Sequence, residues 1–370
     1  MEKYFGEKVP KLGFGLMRLP KLANEKIDIE QTKKMVDLFM DAGLTYFDTA
    51  YVYDGGESEK AAKLALVDRY PRESYTLCTK LCAWMGAHDE KSAKQQFYTS
   101  LERTGAGYFD YYLLHALQRG NYKKYDEYQL WDFVKEQKAK GLIKYYGFSF
   151  HADPALLEEL LTDHPDVDFI QLQLNYADWE NPGVASRECY EIARRHGKSI
   201  TVMEPVKGGK LADPAPEVKD LLKTADPNAS FASWAIRYVA SLDGIITVLS
   251  GMSNIEQMKD NISYMKNFKP LTDAEQNVIR QVQRVLSGDK SIPCTACHYC
   301  TDGCPMNIPI PEIFAVKNNK GGTDKDYAVA TEGRGKASEC IECGQCVGAC
   351  PQQIDVIASL KDCAKQFEKQ

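Results

Sequence analysis

The sequence predicts an α/β fold: a closed (β/α)8 TIM barrel with a small, mainly helical C-terminal domain. Three observations predict it. Between Leu12 and about Leu249, eight short runs rich in β-branched and aromatic residues alternate with longer helical patterns. No GxGxxG follows the first run, although a doubly wound dinucleotide-binding sheet would usually carry one there. Eight of the twelve cysteines fall in two groups near the end of the chain.

The strand-like runs are, in order, LGFGLM, TYFDTA, YTLCTK, DYYLLH, KYYGFS, FIQLQL, SITVM and GIITVLS. After the first comes EQTKKMVDLFMDAG, where Met35, Leu38 and Phe39 share a helical face and Gly43 ends the run. The glycine pairs Gly55-Gly56 and Gly208-Gly209 read as turns. After Pro270 the pattern becomes LTDAEQNVIRQVQRVL, a helix with Val278, Val282 and Leu286 on one face. Residues 270–290 are therefore expected to connect a barrel at 1–269 to a small domain at 291–370. That domain should be helical: IPIPEIFAVKNNKGG opens with prolines and closes with Asn and Gly, and IDVIASLKDCAKQF repeats Ile354, Ile357, Leu360, Ala364 and Phe367 at helical spacing.

A chain of 370 residues with 44% hydrophobic content can bury one large core and a small one. Its net charge of −6 supplies no broad basic field, so nucleic acid and anionic membrane surfaces are not expected partners. MEKYFGEKVP lacks the apolar core of a secretory signal, and no apolar run approaches the length of a membrane span. The expected location is the cytoplasm, where cysteines serve as metal ligands or free thiols rather than disulfides.

Cys294 to Pro305 reads CTACHYCTDGCP and Cys340 to Pro351 reads CIECGQCVGACP, two copies of C-x2-C-x2-C-x3-C-P. Thiolate sulfur is the soft ligand that iron-sulfur clusters require, and in this arrangement the fourth cysteine of each run usually ligates the other cluster. One 4Fe-4S cluster is thus expected on Cys294, Cys297, Cys300 and Cys350, and a second on Cys340, Cys343, Cys346 and Cys304. Four thiolates can also cage zinc, but zinc sites seldom use this close spacing with a following proline. His298 reads as solvent-facing, and Cys78, Cys82, Cys189 and Cys363 as spare or buried thiols.

A barrel carries its chemistry at the C-terminal ends of its strands. Those ends present Asp48, Lys80, His115 and Ser149, separated by 32, 35 and 34 residues, about one strand-helix unit each. Tyr53 follows Asp48 closely enough to fold back over it. Reducing a carbonyl by hydride needs a proton donor at the oxygen, and a phenol holds its proton at neutral pH. Asp48 would pair with Lys80, the ammonium would lower the pKa of Tyr53, and His115 would bond the substrate oxygen. Trp84 and Trp179, each shortly past a strand end, could line the pocket or pack in the core or a lid.

FDTAYVYDGGESE, the Lys80 and His115 strand ends, GFS and FIQLQLNY resemble the aldo-keto reductase family over about residues 5–268. The resemblance implies Asp48, Tyr53, Lys80 and His115 as the catalytic set, with Ser149 and Gln171 on a nicotinamide carboxamide. Met203 stands where the family commonly has a ring-stacking tyrosine, and Phe150 where an Asn is usual. VLSGMSNIEQMKDN matches the adenosine-phosphate region, with Gly251, Ser253, Gln257 and Asn261 as contacts and no Arg or Lys for a 2′-phosphate. The cofactor is thus NAD(H) or NADP(H), with NADH favoured. The cysteine-rich end resembles a subgroup fused to a ferredoxin-type domain.

Together these features imply an oxidoreductase acting on a small carbonyl or alcohol, with clusters leading to a one-electron redox protein partner. Two alternatives remain: a flavin at the barrel mouth converting electron pairs to single electrons, and a catalytically retired barrel serving as an electron-carrier scaffold.

Overall fold

The computed structural model describes residues 3–288, 291–319 and 321–368. The end of the expected connector, 289–290, lies outside the described residues. Eight strands, β1 (Leu12–Gly15), β2 (Tyr46–Asp48), β3 (Thr76–Leu81), β4 (Phe109–Leu117), β5 (Ile143–Phe150), β6 (Phe169–Gln173), β7 (Ser199–Met203) and β8 (Ile245–Ser250), close in sequence order into one barrel. Every neighbouring pair is parallel, including β1 with β8. All eight runs read from the sequence are strands. The first is shorter than LGFGLM suggests, because Leu16–Arg18 turns into a 3-10 helix that carries Arg18 over the rim.

Side chains alternate along each strand, so one face of every strand points into the barrel. Tyr46, Cys78, Tyr111, Leu113 and Phe169 form an apolar layer, with Phe5 and Val9 of the N-terminal segment packed against it. Two residues further along β2, β3 and β6 the same faces present Asp48, Lys80 and Gln171, and β4 presents His115; all four are buried. The inner wall therefore changes from apolar to polar toward the C-terminal ends. Strands β5 and β6 approach closely at Gly147, where a Cβ would come within 1.9 Å of the Phe169 carbonyl oxygen.

Outside the barrel, helices bury one stripe each. The first, Ile29–Asp41, starts at Asp28, whose side chain accepts from the Gln31 N–H, and it buries Met35, Val36 and Phe39. Gly43 ends it at a φ of 78°, a left-handed conformation that suits glycine. Helix Asp273–Leu286 opens with a Thr272/Glu275 capping box and buries Ile279 and Val282 against Tyr176, Leu222 and Trp234 of the barrel's outer layer. The connector is thus packed on the barrel.

A separate hydrophobic cluster gathers Ile308, Ile313, Phe314, Tyr327, Leu360 and Phe367 with the cysteines Cys346 and Cys350. Helices Ile310–Asn318, Asp324–Ala330 and Val356–Phe367 supply most of it. No strand occurs there among the described residues.

Candidate active site

A cavity of about 360 Å³ opens at the C-terminal ends of the strands and runs along β7 and β8. Its wall includes Asp48, Tyr53, His115, Gln171, Met203, Gly251, Ser253, Gln257 and Asn261, nine of the eleven residues expected as catalytic or cofactor contacts. Lys80 and Ser149 do not reach it. Lys80 is wholly buried behind it, its Nζ 2.5 Å from Asp48 Oδ1 and 2.7 Å from the Thr49 carbonyl. Ser149 Oγ accepts from the Ala116 N–H at 2.7 Å, stitching β5 to the irregular end of β4.

The Lys80 ammonium lies 4.6 Å from the centre of the Tyr53 ring, which meets His115 edge-on at 5.6 Å. The expected lowering of the Tyr53 pKa is corrected here. Burial, then the Asp48 carboxylate, push it well above the ordinary phenol value. Burial, with the Lys80 charge second, holds His115 well below the usual imidazole range, so its ring is neutral. His151 is pushed down to about 4 by burial.

At the far end of the cavity the helix Ile255–Met265 begins at Asn254, whose side chain accepts from the Gln257 N–H at 2.8 Å. Gln257 Oε1 accepts from the Ser253 N–H at 2.8 Å, and Asn261 Nδ2 donates to Ser250 Oγ at 2.7 Å. Gly251 lies beside Arg18, a cation from a distant part of the chain. Its guanidinium donates to the Thr295 carbonyl at 2.8 Å.

Of the two roles open to Trp84 and Trp179, lining the pocket or packing, both take the second. Trp84 Nε1 donates to the His115 carbonyl at 3.3 Å, and Trp179 packs against Tyr190 and Tyr238. Among the residues that sequence reading did not assign to the barrel site, Arg18, His151, Glu204, Cys297 and Tyr299 line it. Glu204 follows Met203 at the end of β7 with a φ of 56°, and burial raises its carboxyl pKa. His115 Nδ1, His151 Nδ1 and Glu204 Oε2 are buried on this wall without a protein hydrogen-bond partner. Such groups are normally paired, so the cavity offers bonds that a polar ligand would complete. That donor set fits a nicotinamide-type cofactor or a carbonyl substrate.

The cysteine-rich segment closes over the cavity. Thr295 packs so tightly on Gly208 that a Cβ there would come within 2.6 Å of the Thr295 carbonyl oxygen. Gln173 and Gln352 exchange two buried amide hydrogen bonds of 3.0 Å, Gln353 Nε2 donates to the His151 carbonyl at 2.7 Å, and Lys210 to the Ile292 carbonyl at 3.2 Å. Within this segment the thiols of Cys294, Cys297, Cys300 and Cys350 line one small cavity, and those of Cys304, Cys340, Cys343 and Cys346 line another. Each set draws its members from both motifs. No three His, Cys, Asp or Glu side chains among the described residues converge on a single ion position. Four thiols around a space, rather than at a point, suit the donor chemistry of a four-iron cluster better than one zinc ion. Cys78, Cys82, Cys189 and Cys363 are buried and unpaired, and His298 is exposed.

Among the described residues no helix is long and apolar enough to cross a membrane. Residues 11–284 match the Aldo/keto reductase family and residues 293–354 a 4Fe-4S dicluster domain. An uncharacterized oxidoreductase of Bacillus subtilis, YqkF, is 25% identical over 296 residues, 72% of this chain and 90% of its own. The holo form of the aldo-keto reductase AKR11C1 from Bacillus halodurans superposes with a TM-score of 0.60 at 28% identity, covering 74% of this chain and 92% of that one. An aldo/keto reductase from Klebsiella pneumoniae, solved with NADP and acetate, has the same fold, with a TM-score of 0.62 at 22% identity over 75% of this chain and 94% of that one. The barrel, the polar residues at its strand ends and these matches agree: the chain is an oxidoreductase belonging to the aldo/keto reductase family, with a 4Fe-4S ferredoxin-type domain after its barrel.

Proposed function

We propose that the barrel interconverts a small carbonyl compound and its alcohol, and that two 4Fe-4S clusters link this reaction to one-electron transfer. The carrying observation is a shared wall: Asp48, Tyr53, His115 and Gln171 line one cavity with Cys297, Tyr299 and Pro351. Residues 1–269 form the catalytic unit, 270–290 the connector and 291–370 the electron-transfer unit.

Tyr53 holds the transferable proton at the carbonyl oxygen, and neutral His115 orients that oxygen. Asp48 fixes the Lys80 ammonium beneath the Tyr53 ring, where its charge favours the phenolate as the proton leaves. Met203, Gly251, Ser253, Gln257 and Asn261 hold the cofactor along the groove, and Gln171 meets its carboxamide end. Ser149 keeps the end of β4, and with it His115, in place. A nicotinamide bound there would supply or accept the hydride. NADH should serve at least as well as NADPH, because the segment from Gly251 to Gln257 carries no Lys or Arg to clamp a 2′-phosphate. Cys294, Cys297, Cys300 and Cys350 would hold the nearer cluster and Cys304, Cys340, Cys343 and Cys346 the other, which would supply one-electron transfer to a redox protein. Unpaired thiols throughout fit the cytoplasm.

An alcohol oxidised to its carbonyl releases two electrons and two protons. Tyr53 would take the hydroxyl proton on to solvent, and two clusters, each a one-electron carrier, would together have room for the electron pair once it is split. The proximity of Cys297 to the cavity also favours a second reading, in which a flavin in the groove splits the electron pair. Stopped-flow at the cluster absorbance tests the coupling. Alcohol added anaerobically should bleach the clusters within turnover in wild type and not in Tyr53→Phe. Equal bleaching in both, or none in either, rejects the coupling.

A further inference from the structure

The two cysteine motifs share one spacing, so their intervening residues pair off position by position. Thr295 and Ile341 follow the first cysteines, and Gln352 and Met306 follow the closing prolines. Thr295 and Gln352 line the cavity of Cys294, Cys297, Cys300 and Cys350, whereas Ile341 and Met306 line that of Cys304, Cys340, Cys343 and Cys346. The first cavity thus has a hydroxyl and an amide where the second has an alkyl chain and a thioether. His298 and Gln345 also stand on these walls, but both are exposed, where water competes for them.

The two buried donors are held from the barrel. Thr295 is 3% exposed, and its Oγ1 has no protein partner. Its carbonyl accepts from the Arg18 guanidinium at 2.8 Å, and Gly208 packs against it. Gln352 is 4% exposed, and its amide exchanges two hydrogen bonds of 3.0 Å with Gln173, whose Nε2 also donates to Asp178 Oδ2 at 3.0 Å. A primary amide has two N–H donors, and Gln173 takes one of the two on Gln352. A buried hydroxyl without a partner is uncommon, and the acceptors that this wall would meet are cluster sulfurs.

We propose that Thr295 and Gln352 donate to sulfurs of the nearer cluster and raise its reduction potential, with Arg18 and Gln173 as the positioning residues. The inference rests on the cluster assignment proposed above. Reduction adds negative charge, which burial against the barrel disfavours and hydrogen bonds to sulfur favour. Cys297 stands on the wall of the barrel cavity, so an electron leaving the barrel meets this cluster first. The outer cluster has the exposed Cys343 and water in place of such donors.

Potentiometric titration of anaerobically purified protein, followed by electron paramagnetic resonance, tests the proposal. Thr295→Val keeps the shape and breaks no side-chain hydrogen bond within the protein, and Gln352→Met puts the thioether of the repeat in place of the amide. Each should lower one of two midpoints by about tenfold in the reduction equilibrium, about 59 mV for one electron, with the other midpoint and the iron content unchanged. Thr295→Ser, which keeps the hydroxyl, should retain the wild-type midpoint. Gln173→Met should shift the same midpoint as Gln352→Met and add little to it in the double variant. Unmoved midpoints in both Thr295→Val and Gln352→Met, or a fall in Thr295→Ser as large as in Thr295→Val, overturn the proposal. A single cluster of about four irons rejects the two-cluster reading, and the response of its midpoint to Thr295→Val and Thr295→Ser then decides this proposal.

Discussion

Tyr53 and His115 have their titrations pushed in opposite directions, the phenol up and the imidazole down. A raised acid stays protonated to higher pH, and a lowered base stays neutral to lower pH. Between the ordinary midpoints of about 6.5 and about 10, neither group should change charge. Carbonyl reduction at saturating cofactor should therefore give a flat kcat profile across that window; a limb centred near 6.5 would mean that His115 titrates. Tyr53→Phe should lower kcat by a hundredfold or more with iron content and cofactor affinity nearly unchanged, since it removes the transferable proton and keeps the ring. Equal turnover in the variant would remove Tyr53 from the chemistry. At this scale the sequence showed Asp48, Tyr53 and His115, because each stands at or just past a strand end. It misjudged the effect of Lys80, since burial, not charge, dominates the Tyr53 environment and burial has no local signature. It also hid Arg18 and Tyr299: Arg18 sits on a turn after β1, and Tyr299 occupies a spacer position inside a cysteine motif. Only the side chain's entry into a distant cavity gives either a role.

The strands were legible because a barrel core demands unbroken β-branched and aromatic runs, and the period-2 inner face then places polar groups at the rim. Where the runs were misread, turns were the reason. LGFGLM loses its last two residues to the 3-10 helix, which the run's composition does not signal. Strand spacing is a separate constraint. Gly147→Ala should destabilise the barrel by more than about 3 kcal/mol, because the added methyl meets the Phe169 carbonyl and neither backbone can yield without opening β5 from β6. Asp28→Ala, which removes a helix cap at the surface, should cost about 1 kcal/mol. Denaturant midpoints of the two variants compare them directly; similar losses would show that the β5–β6 contact relaxes.

At the scale of the whole molecule, the two cysteine sets bind the C-terminal unit to itself. Protein purified without oxygen should contain about eight irons and eight acid-labile sulfides per chain, and about four irons or stoichiometric zinc would reject two clusters. Because Cys304 lies with Cys340, Cys343 and Cys346, Cys304→Ala should disturb that cluster and spare the one beside the barrel. Loss of the nearer cluster alone would show that the ligands do not cross. The joint between the two units has a further consequence. It is made by the paired amides of Gln173 and Gln352 and by hydrogen bonds to the backbone carbonyls of Thr295, Ile292 and His151. Salt screens charges, not amide pairs. Raising ionic strength should therefore leave electron traffic inside the chain untouched, while the encounter with a separate, charged redox protein should slow. A salt series of the two rates distinguishes an internal wire from an external handshake.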